Sequence, residues 1–293
     1  MTTPAGPAPK TPAPPGSLNE LQRRVGALAR AQGQTVRRLQ ALVGNVIVCQ
    51  MLPASAVKGG TGIKLRLGDA MTRETPDLDA AFKGDRTQFV ADLNERLKTG
   101  WGGFTGSATM GDPRKPEGLP DGYEMQPVAV KLLYRGKHFK TVELEIGYDE
   151  LNATGTEPAE LELSDQVVAV FTTLGLDTPA PVAVLPVHHQ ISQKLHACSV
   201  PGGQRAHDLV DLQLLEPLAD DTLVAATTAR LFAFRQQHAW PATVVVGHEW
   251  DGIYATAAQG LAVLQDVEAA VQWTNDYVQR LTALTATPDT TTQ

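Results

Sequence analysis

Apolar positions along the chain keep two rhythms, one of three to four residues and one of two, and the switch between them predicts a mixed α/β protein. Leu21, Val25 and Leu28 follow Ser17 and Glu20, a capping box that opens a first helix. A second helical run covers 36–52 and stops at Pro53. Phe89, Val90, Leu93 and Leu97 predict another helix over 85–97, whereas 101–122, rich in glycine, proline and charge, reads as a loop. The rhythm then becomes two. Val128, Val130 and Leu132, then Val142, Leu144 and Ile146, predict a β-hairpin over 126–135 and 138–148, closed at Gly136-Lys137. Residues 149–180 read as loop-like and acidic around an apolar 167–171, and 180–186 as a short strand. Ile191, Leu195 and Cys198 begin a mainly helical remainder. Gly202-Gly203 breaks it, helices follow from about Ala206, over 220–237 and over 260–286, and 243–246 reads as a short strand or buried segment.

The organisation expected from this pattern has four parts. Six prolines among residues 1–16 predict a disordered tail. Residues 17–180 hold N-terminal helices and an α/β core, 181–287 a mainly helical C-terminal domain, and 288–293 a frayed end. At 293 residues and 42% hydrophobic, the chain can bury one large core or two smaller ones.

A formal net charge of −7 argues against a basic coat, so a polyanion partner needs a local patch. The densest candidate is Arg23, Arg24, Arg30, Arg37 and Arg38, which is either a solvated helix face or a contact for RNA phosphates. Cys49 and Cys198 have no CxxC spacing, which excludes a disulfide framework or zinc site of that kind. His188, His189, His196 and His207 cluster without metal-site spacing. There is neither a membrane-length apolar run nor a signal core at the start, so cytoplasmic residence without a membrane partner is expected.

The densest chemistry lies in 58–79, KGGTGIKLRLGDAMTRETPDLD. Asp77 and Asp79 flank Leu78, and in a strand residues i and i+2 share a face. Two carboxylates held side by side repel unless a cation lies between them. Such oxygens suit Mg²⁺, which brings substrate phosphates with it. Gly59 and Gly60 let phosphates approach the main chain, and a helix starting near Thr61 would aim free amides at the same ligand. Thr61 would cap that helix or bind a phosphate oxygen. Glu143 and Glu145 share the face of their strand opposite Val142, Leu144 and Ile146, an alternation that any half-exposed strand also shows. Asp208 and Asp211 share a helix face at i, i+3.

Val57, Gly59, Gly60, Thr61, Arg73, Asp77, Leu78 and Asp79 together resemble the first motif of the AbiEii/MenT-type nucleotidyltransferase toxins, relatives of the DNA polymerase β-like superfamily. That motif is a hydrophobic residue, Gly-Gly-Ser/Thr, a short helix, then Arg and Asp-hydrophobic-Asp. Here Lys64 stands where Arg is common, the connection to Asp77 is longer, and Pro76 precedes the pair. Gln190, Lys194, Ala197, Arg205, Asp208, Asp211 and Leu212 resemble the second motif, with Gln190 for the usual acid and His207 for the usual Arg.

The resemblance, carried by 45–215, implies a polymerase β-like core binding a nucleoside triphosphate with Mg²⁺ or Mn²⁺. Asp77 and Asp79 would hold metal, with Glu145, or alternatively Glu143, as third carboxylate. Gly59, Gly60, Thr61 and Lys64 would bind nucleotide. Lys194 would offset the triphosphate charge, and Asp211, or Asp208, would complete the site. The implied reaction moves a nucleoside monophosphate to an RNA 3′ end, tRNA foremost, and blocks translation, with an antitoxin protein as partner. Two alternatives stay open. One is nucleotide or phosphoryl transfer to a protein or small molecule; the other is a silent antitoxin- or RNA-binding protein.

Overall fold

The structure, a computed structural model, describes residues 12–114, 124–156 and 160–286. Among these residues the strands are β1 (Ala56–Lys58), β2 (Leu78–Phe82), β3 (Phe104–Met110), β4 (Gln126–Tyr134), β5 (Lys137–Tyr148), β6 (Glu160–Glu162) and β7 (Val182–Val184). They form one mixed sheet in the order β3-β4-β5-β2-β1-β7-β6. β2 runs parallel to β5 and β1 parallel to β7, while β1 and β2 are antiparallel. The α/β expectation, with a mainly helical C-terminal part, holds.

Period-two alternation assigns the two faces of the centre. Leu78 and Ala80 of β2, with Val142, Leu144 and Ile146 of β5, point into the first hydrophobic core. Asp79, Ala81, Glu145 and Gly147 therefore point to the opposite face. The first core is closed by α1 (Leu18–Ala31), α2 (Val36–Cys49), α4 (Arg86–Thr99) and α6 (Asp165–Leu174). α2 crosses β5 at Gly44, where a Cβ would lie 3.1 Å from Val142 Cγ2.

A second core joins α7 (Val187–Ser199), α8 (His207–Leu215), α10 (Trp250–Ala258) and α11 (Val267–Ala286), with Val224 and Ala225 of α9 (Asp221–Arg235). α3 (Gly59–Leu67) belongs to both, because Leu65 is buried in the first core and Ile63 in the second. The helix opened by Gly59-Gly60 is thereby fixed from two sides. A short helix, α5 (Ala153–Thr156), follows β5.

Several local expectations change. Residues 104–110, expected as loop, are the edge strand β3, paired with β4 from Phe104↔Tyr134 to Met110↔Val128. Its small polar residues hide the pattern, and Gly106 is needed because a Cβ would meet Lys131 O at 2.5 Å. Asn94 of α4 binds both Ala108 O and Ala108 N, satisfying part of that edge. Within the expected loop 149–180 lies α6, capped by Ser164 and ended by left-handed Gly175. The hairpin turn is Arg135-Gly136, both at positive φ, one residue earlier than expected. Residues 243–246 form no strand; Asn275 instead binds Val244 through both its N–H and its carbonyl. α10 was not foreseen, and α11 starts at Val267 rather than 260.

Of the proline-rich tail, 1–11 lie outside the described residues, as do 288–293. Residues 12–16 are held rather than loose. Pro15 O accepts from Tyr134 Oη and Arg135 Nε, and Ala13 O accepts from Arg24.

Candidate active-site cleft

Strand register builds the acidic side. Lys58 pairs with Asp79 and Asp79 with Glu145, so three adjacent strands place these side chains abreast. Glu143 lies just before the β2–β5 ladder, which begins at Leu78↔Leu144, and is not among the cavity-lining residues, which favours Glu145 as the carboxylate beside the aspartates. Gly59 has φ +62°, and a Cβ on it would lie 2.1 Å from Asp79 Oδ2. Any side chain there would collide with the carboxylate as well as strain the backbone. Gly60 is equally constrained, because a Cβ would lie 2.8 Å from three Thr75 side-chain atoms. The glycines thus seat Asp79 and the 68–77 loop, and the first turn of α3 begins at Gly59, two residues before the expected start.

Burial raises the Asp79 carboxyl above the usual range, with Lys58 opposing and Asp77 adding to the rise. Burial and then Asp79 raise Glu145. Arg114 approaches Glu145 at 3.6 Å.

A basic shelf faces this row from α7 and the loop before α8. Lys194 Nζ donates to Asp208 Oδ1 at 2.9 Å and Asp211 Oδ2 at 2.5 Å. Arg73 grips Asp211 with two hydrogen bonds of 3.0 and 2.9 Å, and Arg205 Nε donates to Asp208 at 2.7 Å. Burial would raise both aspartate carboxyls, but Lys194 and the arginines hold them below the usual range. His207 is lowered to about 4 by burial, so it is neutral at neutral pH.

Between row and shelf lies a cavity of about 450 Å³. Lys58, Gly59, Gly60, Asp77, Asp79 and Glu145 line one part of it, and Arg73, Gln190, Lys194, Arg205, His207 and Arg235 another. Its size is within the ~300–1,000 Å³ of ordinary ligand pockets. Its lining holds five cations and three carboxylates, and Asp208, Asp211 and Glu150 pair with four of those cations from behind.

The structure thus brings Gly59, Gly60, Asp77, Asp79, Glu145 and Lys194 together. Four expected contacts are corrected. Asp208 and Asp211 are 0% and 1% exposed and stand behind the shelf, where they brace Lys194, Arg73 and Arg205 instead of reaching the cavity. The Thr61 hydroxyl neither caps α3 nor faces the cavity. It donates to Asp77 O and accepts from Asn45 Nδ2, tying α3 to the start of β2. Lys64 points away into the protein, where it pairs with Asp69 and reaches Thr72 Oγ1 at 3.3 Å. Burial lowers its ammonium pKa.

The arginine-rich region divides in the same way. Arg24 and Arg38 are spent on internal partners, Arg38 on Asp69 and the Thr72 carbonyl, while Arg23, Arg30 and Arg37 stay exposed. Lys58, Arg235 and Glu150 were missed. Lys58 sits inside the motif, but Arg235, in a bidentate pair with Glu150, carries no signal linking it to residues 85 positions away.

Oxygen donors alone make up the acidic row, and that chemistry fits Mg²⁺ or Mn²⁺. Among the described residues no three acidic, histidine or cysteine side chains are grouped closely enough to hold an ion by themselves. Asp77 and Asp79 fit such an ion in the manner typical of Mg²⁺, by one or two carboxylates with substrate phosphates completing the shell.

Fold and cleft define the class, a nucleotidyltransferase-type α/β protein. The sequence matches the family described as nucleotidyl transferase AbiEii toxin, type IV TA system, over residues 49–292, and the chain belongs to that family. Membership of a toxin–antitoxin family implies an antitoxin partner. Among solved structures, MenT4, a nucleotidyltransferase toxin from Mycobacterium tuberculosis, is 17% identical, with 90% of this chain and 93% of that chain covered and a TM-score of 0.56. That likeness shows a shared fold. JHP933 from Helicobacter pylori is 16% identical, covering 83% of this chain and 90% of its own, with a TM-score of 0.40. No curated protein matches the chain. No helix among the described residues is long and apolar enough to cross a membrane.

Proposed function

We propose that this protein transfers a nucleoside monophosphate from a nucleoside triphosphate to the 3′ hydroxyl of RNA, tRNA foremost, and so blocks translation as the toxin of a toxin–antitoxin pair. The observation that carries this reading is the Asp77, Asp79 and Glu145 row facing the Lys194, Arg73 and Arg205 shelf across one cavity. The acceptor oxygen attacks the α-phosphorus, the bond from that phosphorus to the bridging oxygen of the β-phosphate breaks, and pyrophosphate leaves. Glu145, whose carboxyl is raised by burial and by Asp79, takes the hydroxyl proton. Lys194 and Arg205 orient the triphosphate and offset its charge, and the braced aspartates keep those cations in place before substrate arrives. Mg²⁺ or Mn²⁺, held by Asp77 and Asp79 with the phosphates, would supply electrostatic activation of the α-phosphate. Arg23, Arg30 and Arg37 remain available for RNA phosphates.

The test is incubation with each nucleoside triphosphate, labelled on the α- or the γ-phosphate, together with total RNA. α-Label on RNA that disappears when the 3′ diol is oxidised with periodate is the expected result. γ-Label on any acceptor would establish phosphoryl transfer, and α-label on protein alone would move the acceptor. No transfer of either label under any metal condition would leave the silent binding protein.

A further inference from the structure

Lys58 stands apart from the other cations of the cleft. Lys194, Arg73, Arg205 and Arg235 each have a buried carboxylate partner, namely Asp208 and Asp211, Asp211, Asp208, and Glu150. Lys58 stands instead on the acidic side, abreast of Asp79 and Glu145. Its reach is fixed by a glycine. Gly147 lies two residues beyond Glu145 on the same face of β5, and a Cβ there would be 2.6 Å from Lys58 Nζ and 3.3 Å from its Cε. The lysine stem therefore leans across β2, and the ammonium ends over the bare Cα of Gly147. The residue paired with Gly147 on β2 is Ala81, also small, which leaves the path open.

The location matters more than the charge. Two carboxylates abreast on neighbouring strands form a seat for a cation. An ammonium at the edge of that seat repels a divalent ion approaching it while stabilising the ionised carboxylates. Among the charges acting on Asp79, that of Lys58 is the largest, and it also acts on Glu145. A surface lysine would need no glycine cut out beneath its head group. On the shelf side the cations that act on Asp79 are Lys194 and Arg205, and both are paired with Asp208 or Asp211.

We propose that Lys58 is a resident cation of the carboxylate row: its ammonium, seated over Gly147 beside Asp79 and Glu145, takes the place of a second divalent ion. The cleft then loads one divalent ion with its nucleotide, at Asp77 and Asp79, where a row without the lysine would load two. This rests on the nucleotide-binding reading above. Lys58 is a positioning residue in this role, acting through the two carboxylates.

The experiment counts bound Mn²⁺ by electron paramagnetic resonance. The full chain is titrated in the presence of non-hydrolysable α,β-methylene nucleoside triphosphates, with a nucleotide-only blank subtracted. The expected result is one ion per wild-type chain. Lys58→Met, which keeps the stem and removes the charge, should bind two, with the spectral broadening of neighbouring ions. Gly147→Ala should also bind two although the lysine is retained, because the new methyl displaces the ammonium; it decides the question if Lys58→Met does not fold. Two ions in the wild-type protein, or one in both variants, overturns the proposal while leaving the nucleotide site standing. No nucleotide-dependent ion in any of the three proteins refutes the nucleotide site itself, and the proposal with it.

Discussion

Asp79 and Asp211 were both expected to act on substrate, yet their surroundings predict opposite responses to the same change. Asp211 Oδ2 accepts from Arg73 Nη2 and Lys194 Nζ, and Oδ1 from Arg73 Nε. An Asn there keeps the shape but turns one oxygen into an N–H₂. Whichever way the amide is placed, a donor faces Arg73, and in one orientation it faces Lys194 as well. The position is 1% exposed, so water cannot repair the contact. Removing one partner from a buried ion pair costs about 3–5 kcal/mol. At about 2–4 °C of Tm per kcal/mol in chains of this order of size, Asp211→Asn should melt on the order of 10 °C lower than wild type. For Asp79 the sign reverses. Its carboxyl is raised in the folded protein, so folding opposes its ionised form, and a neutral Asn should leave Tm at pH 7 unchanged or higher.

Acidification supplies an independent check. The Asp208 and Asp211 carboxyls are held low in the fold, so their stabilisation is present above the ordinary carboxylate pKa and is lost as pH falls through the lowered folded values. The stability gap between wild type and Asp211→Asn should narrow as pH falls below that ordinary range. Urea unfolding followed by circular dichroism at pH 7 and at successively lower pH measures both effects. Both variants should lose nucleotide transfer. An Asp211→Asn protein with the wild-type unfolding midpoint at pH 7 would refute the bracing role and return Asp211 to direct contact with substrate.

Gly59→Ala should fold with a loss of roughly 1–2 kcal/mol from its left-handed backbone and lose transfer about 100-fold, because Asp79 must move aside; transfer within threefold of wild type would show that the Asp79 seat is not needed. Lys64→Met should leave nucleotide-analogue affinity, measured by calorimetry, unchanged; a tenfold weaker affinity would restore Lys64 to the nucleotide site. Arg38→Gln should cost about 1–3 kcal/mol by removing charged hydrogen bonds to the 68–77 loop. Arg37→Gln, at a side chain 79% exposed, should shift stability by less than about 0.5 kcal/mol and reduce RNA binding and its salt dependence together. Equal losses of stability in the two arginine variants would contradict this division.

What the sequence made legible follows from how local each signal is. The Gly-Gly-Thr turn and the Asp-Leu-Asp pair are read within a few residues, and periodicity alone placed Glu145 on the polar face of its strand. Its place beside Asp79 came only with the family resemblance, because periodicity cannot reach across the more than sixty positions between β2 and β5. The Lys194, Asp208 and Asp211 cluster was legible as residue types, but not as depth. Helical spacing puts both acids on one face without telling whether that face meets solvent, a ligand or Lys194. Lys64 misled for the same reason, since a lysine one turn into a phosphate-facing helix reads as a phosphate ligand until Asp69 folds back beneath it. β3 was hidden because Phe104, Gly106 and Ala108 carry too little apolar surface to set a rhythm of two.

The basic N-terminal helices acquire a different meaning once depth is known. Arg38 donates to the Asp69 carboxylate and to the Thr72 carbonyl, and Lys64 meets Asp69 from α3. Asp69 and Thr72 open the segment that carries Arg73 to Asp211, Thr75 against Gly60 and Asp77 into the cavity. Two cations from separate helices thus anchor the start of a loop whose far end supplies one wall of the cleft. A loop of this length with polar side chains has few apolar contacts to hold it, so charge pairing at a nearly buried aspartate takes that part. The excess of arginine before residue 40 is therefore divided by burial: one portion fixes the geometry of the site, and only the exposed portion is left for a polyanion.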